Sequence, residues 1–170
     1  YCMNNETSTP PAWGLHWMEF IRDAAAQRGV DVYVTDMFDD GWEPEQSEKI
    51  RLALDHPELY PFIEISQVNS RSFGEDHWNH LLWVVQEVKR HPRPINNTKI
   101  YGAGKTKWGS GEPKNGVQRF WRDILGGCAS ARFHRDGGGT GLQPNSQATI
   151  KAARKLESLI PLWSVEPADK

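Results

Sequence analysis

The chain has 170 residues and a mass of 19.4 kDa, with 20 basic against 22 acidic residues for a net charge of -2. That size holds one domain with a proper core. The even charge balance argues against a nucleic acid or an anionic membrane held by bulk electrostatics, and no apolar run approaches the ~20 residues of a membrane helix.

In chain order, residues 1–4 read as a strand already under way, with no initiator Met and no signal peptide. The expectation is the downstream part of something longer, with any targeting sequence outside it. Further β-rich segments fall at 32–37, 62–68, 95–101 and 129–133. Between and after them lie amphipathic stretches at 12–27, 44–55, 76–89, 117–125 and 146–160. In the first stretch Trp13, Trp17, Phe20, Ile21 and Ala24 recur at helical spacing, which predicts a core-facing stripe. Gly29, His91-Pro92 and Gly126-Gly127 supply stops.

The strand ends near Asn5, Asp36, Asn69, Tyr101 and His134 lie 31 to 33 residues apart, the length of a βα unit. Alternation of strands and helices predicts a parallel sheet, because parallel neighbours need a crossover. Long loops after the strands and short ones after the helices favour a barrel over an open doubly wound sheet. Strand faces point the same way. Ile63 and Ile65 oppose Glu64 and Ser66; Thr98 and Ile100 oppose Asn97, Lys99 and Tyr101; Ala131 and Phe133 oppose Arg132 and His134. One apolar face towards helices and one polar face towards an interior is what a polar-lined barrel requires.

The expected fold is therefore α/β, a partial (β/α)₈ TIM barrel of five βα units corresponding to strands four to eight. Residues 1–170 form its C-terminal part, and three N-terminal units are absent. Sheet edges left open invite association between copies. An open flavodoxin-like sheet is the alternative with least support, since residues 5–11 contain no glycine for a phosphate loop.

Cys2 and Cys128 show no zinc spacing and no disulfide framework, and both are expected as buried thiols in strands. The sequons at Asn5-Glu6-Thr7 and Asn96-Asn97-Thr98 sit at strand positions and read as chance matches. No metal site and no cofactor is expected. His134-Arg135-Asp136-Gly137 lacks a partner histidine at ligand spacing, and the glycine run from Gly137 to Gly141 carries no Gly-Lys-Ser/Thr.

Asn5-Glu6, at the end of the first strand, resembles the Asn-Glu pair of clan A glycoside hydrolases. Looser likeness runs through residues 97–102 and 131–134, and the overall style is similar to uncharacterised bacterial barrel proteins grouped with glycosidases. The resemblance implies cleavage of O-glycosidic bonds in a poly- or oligosaccharide, with Glu6 as general acid/base. Such a protein would be secreted or periplasmic. Proton delivery to the leaving oxygen needs a carboxylic acid still protonated near neutral pH, and an adjacent Asn5 can hold a sugar hydroxyl. The bland alternative is that both residues cap a helix or solvate a loop.

The position matching the family's nucleophile holds Lys99, and an ammonium group cannot attack an anomeric carbon. Asp36 is the preferred second acid. Glu64 is the other candidate, although an ion network of Glu64, Lys99 and Arg132 that merely fills the interior competes with it. Gln67, Asn69, Tyr101 and His134 suit sugar hydroxyls, and Arg132 or Lys99 suits a carboxylate on an acidic sugar. Trp42 and Trp108, in glycine-rich connections, suit stacking on pyranose faces or contact with another copy. The alternative function is a non-catalytic carbohydrate-binding or scaffolding barrel fragment.

Overall fold

A computed structural model describes residues 1–5, 9–38, 46–66, 74–101, 113–134 and 141–165. The elements in order are α1 (Pro11–Ala26), α2 (Glu48–Asp55), β1 (Ile63–Glu64), α3 (Gly74–Val88) and β2 (Ile95–Ile100). They continue with α4 (Pro113–Leu125), β3 (Ser130–Phe133), α5 (Pro144–Glu157) and a 3₁₀ turn at Leu162–Ser164. Local chemistry sets several ends. Ser47 accepts from the Ile50 N–H and starts α2, while Pro11 and Pro144 occupy first-turn positions that need no donor.

The three strands form one parallel sheet in the order β1-β2-β3. The five-unit partial TIM barrel is not formed: the described residues hold three strands and five helices in an open α/β arrangement. The cause lies in the first two expected strands. Residues 1–4 and 32–37 meet in a single parallel bridge between Cys2 and Thr35. The Thr35 N–H donates to the Tyr1 carbonyl, and the Met3 N–H donates to the Thr35 carbonyl. Beyond that, side chains take over from the ladder. The Asn4 N–H donates to Asp36 Oδ1, and the Thr35 hydroxyl reaches the Phe62 carbonyl. Bonds of this kind hold segments together without extending them as strands.

The apolar side of the sheet is covered by helices. Ile63, Ile65 and Ile95 join Leu81, Val84 and Val88 of α3 in the main core, with Val34 and Met18. A smaller cluster joins Ile100, Phe120 and Phe133, the two phenyl rings stacking at 4.9 Å. Close approach here depends on Gly126, just past α4. A Cβ there would lie 2.5 Å from Leu81 Cδ2 and 2.6 Å from the Arg122 carbonyl oxygen.

β2 departs from the expected alternation. Its pairing with β3 shifts register between Asn97 and Ile100, so both residues face the helices. Thr98 turns instead to the polar side, where its hydroxyl meets Ser66 at 3.3 Å. An extra residue in a ladder has this effect, because each added position reverses the facing of every later side chain. On the polar side Glu64 and Ser66 are buried while Arg132 is exposed.

Two smaller expectations also change. Trp13 and Trp17 are 46% and 40% exposed and pack on each other at 6.1 Å rather than in the core. Cys2 is exposed while Cys128 is buried, and both are free thiols. No helix among the described residues is long and apolar enough to cross a membrane.

Candidate functional site

Three polar groups are built from the sheet and its flanks. The first ties the chain start to residue 36. Asp36 is buried, its Oδ1 accepting from the Asn4 and Met37 N–H groups and its Oδ2 from Asn4 Nδ2 at 2.8 Å. Gly14 of α1 makes room for it, since a Cβ there would stand 2.2 Å from Asp36 Oδ2. Burial pushes the Asp36 carboxyl above the ordinary carboxylate range, and the Asn4 and Met37 hydrogen bonds oppose that. Both oxygens are spent on holding the fold.

The second group lies on the polar face. Glu64 is 6% exposed, and its Oε1 accepts from the Ser66 N–H at 2.9 Å, from the Ser66 hydroxyl and from the Thr98 N–H at 3.2 Å. Burial raises its proton affinity, with the Ser66 and Thr98 hydrogen bonds acting against it. Among the described residues no ion pair joins Glu64 to Lys99 or Arg132, so the expected interior network is not formed. Lys99 is buried, and farther along the sheet the Tyr101 and His134 rings lie 4.6 Å apart at 30°.

The third group sits between the sheet and the helices, and the sequence reading missed it. Asp123 of α4 accepts from Asn97 Nδ2 at 3.0 Å and lies 3.9 Å from His77 Nε2 of α3. Neither residue is exposed at all. Among the described residues, Asp123 Oδ1 and both ring nitrogens of His77 have no hydrogen-bond partner. Burial drives the two in opposite senses, because it disfavours whichever form is charged. The Asp123 carboxyl rises to about 8 and the His77 imidazole falls to about 3. Arg119, also buried, is drawn down to about 10 by burial and held up by Asp123. The only sequence signal was a histidine and an aspartate on the apolar stripes of two helices, which periodicity alone does not mark as a pair.

Of the expected site residues, the structure brings Glu64, Lys99, Tyr101, Arg132 and His134 onto β1, β2, β3 or their ends. Asp36 is set apart as an anchor. Asn5 is exposed at the chain start. Glu6, Trp42, Gln67, Asn69 and Trp108 lie outside the described residues, as do Asp136 and most of the glycine run. Among the described residues no group of three His, Cys, Asp or Glu side chains is placed to hold a metal ion.

These features define the class: an α/β protein with a short, open parallel sheet and one polar sheet face. No family model, curated protein or solved structure matches the chain.

Proposed function

We propose that the chain is a glycosidase-like protein that cleaves O-glycosidic bonds of a poly- or oligosaccharide by single displacement. Glu6 gives the proton to the leaving oxygen, and Glu64 serves as the second carboxylate. The observation that supports this most is Glu64 itself. It is a buried carboxyl of raised proton affinity on the polar face, fixed through one oxygen by Ser66 and Thr98. A base that takes a proton from water near neutral pH needs an elevated affinity and a fixed position. Asp36 fits the role less well because both its oxygens are engaged. Attack by the water that Glu64 activates, with no covalent glycosyl intermediate, inverts the anomeric carbon.

The test is a panel of aryl glycosides and polysaccharides with NMR of the first-formed anomer. Inverted product is expected. Turnover should fall by about a thousandfold in Glu6→Gln and about a hundredfold in Glu64→Gln, within the span of acid/base catalysis. Hydrolysis that survives Glu6→Gln, or a retained anomer, overturns the assignment.

A second reading has its own support in the Tyr101 and His134 rings, 4.6 Å apart and tilted at 30°. It is a carbohydrate-binding protein without hydrolysis. Saturable sugar binding lost in Tyr101→Ala, with no product from any substrate, selects it over the first.

A further inference from the structure

α3 and α4 pack on each other beside the sheet, and His77 and Asp123 face one another there with no exposed surface. His77 Nε2 stands 3.9 Å from Asp123 Oδ1, beyond the ~3.2 Å reach of a hydrogen bond between nitrogen and oxygen. Among the described residues neither atom has a hydrogen-bond partner, nor has His77 Nδ1. The surroundings hold this gap open. Asn97 Nδ2 of β2 fixes the other carboxylate oxygen at 3.0 Å. Leu81, one turn along α3 from His77, lies against Gly126 just past α4, where a Cβ would stand 2.5 Å from Leu81 Cδ2. The helices therefore have no room to close until the pair bonds directly.

We infer that one internal water molecule sits between His77 and Asp123, accepting from the carboxylic acid and donating to the imidazole. The distance selects it. Two hydrogen bonds of about 2.8 Å that meet at one oxygen span such a gap at an angle of roughly 90°, and two polar partners are enough to retain a buried water. Metal bonds of about 2 Å would have to meet at roughly 140° or more, far from tetrahedral. Among the described residues no third ligating side chain joins the pair either. Protonation agrees. Burial raises the Asp123 carboxyl to about 8 and lowers the His77 imidazole to about 3, so near neutral pH the first donates and the second keeps an acceptor nitrogen. His80, Arg119, Arg122 and Glu64 are the charged or titratable groups nearby, and none of them bonds to the His77 ring or to Asp123 Oδ1. The chain from Asp123 through water to His77 ties α4 to α3 without placing a charge in the core.

The experiment pairs a crystal structure of residues 1–170, at a resolution that shows ordered water, with magnetic relaxation dispersion of the water oxygen, which counts long-lived internal waters in solution. One water peak is expected within hydrogen-bond distance of both His77 Nε2 and Asp123 Oδ1. His77→Phe keeps a ring and removes both nitrogens, and should lower the dispersion amplitude by one water. Asp123→Asn keeps an acceptor for Asn97 and a donor for the water, and should leave the amplitude unchanged. Circular dichroism checks that His77→Phe folds; where it does not, the wild-type density decides alone. The inference fails if that density shows the ring nitrogen bonded directly to the carboxyl, or nothing between the two groups. A peak that elemental analysis identifies as a metal ion overturns it as well. So does an unchanged amplitude in a folded His77→Phe.

Discussion

Glu64 and Asp123 are two buried carboxylates on opposite sides of one small sheet, and burial raises the proton affinity of both. They differ in what surrounds them. Glu64 faces the polar side, where one oxygen receives three hydrogen bonds from Ser66 and Thr98. Asp123 faces α3 and α4, where Asn97 serves one oxygen and the other has no hydrogen-bond partner among the described residues. Hydrogen bonds to a carboxylate favour its ionised form, while apolar surroundings favour the neutral acid. Equal burial thus leaves one group prepared to exchange a proton and the other held as an acid in the core.

The largest effect comes from opening the helix side to water. Leu81→Ala removes a fully buried side chain that roofs Gly126 beside α4, and should cost about 3 kcal/mol in urea denaturation. Water entering that cavity should also bring the Asp123 carboxyl down towards the ordinary range, readable by carboxyl NMR titration. An unchanged titration would mean that packing at Leu81 does not control it.

Next is the donor on each side. Asn97→Ala strips Asp123 of its donor and also removes the acceptor for the Lys99 N–H. The expected loss is about 2 kcal/mol, the cost of an unsatisfied buried polar group. Ser66→Ala should cost only about 1 kcal/mol, because the backbone N–H groups of residues 66 and 98 remain on Glu64. Equal losses would erase the distinction between the two sites.

The pH dependence has a defined sign. Asp123 rises from an ordinary 3.8 to about 8, so its contribution to stability is complete below 3.8 and is lost as pH climbs through 8. His77 falls from 6.5 to about 3, so its contribution is complete above 6.5 and is lost as pH drops through 3. For this pair, stability is highest between about 4 and 6.5 and declines from 6.5 to 8. Urea midpoints over that upper window should flatten in Asp123→Asn. A decline of the same size in the variant would show that another group is responsible.

Much of the fold was legible because its signals are local. All five helices lie within a few residues of their expected places, since apolar spacing, prolines at first turns and glycine stops act over one or two turns. The strands at 95–100 and 130–133 were equally plain. The candidate site was legible in part: Glu64 lies opposite Ile63 and Ile65 as the alternation implies, and Phe133 faces the helices. Asn97 was read onto the wrong side because a register shift leaves no trace in residue type. Nothing local in the sequence shows that Asn4, 32 residues before Asp36, donates to both of its carboxylate oxygens.

By itself, then, the sequence determined the alternation of helices and strands, the apolar stripe of each helix and the direction in which strands must run. Those features arise from periodicity and chain connectivity. Tertiary structure alone decided how many segments pair as strands, which side of the sheet takes Asn97, and which carboxylates are left available. Those outcomes depend on hydrogen bonds between groups about 30 residues apart, where competition between side chains and backbone is settled only once the segments meet.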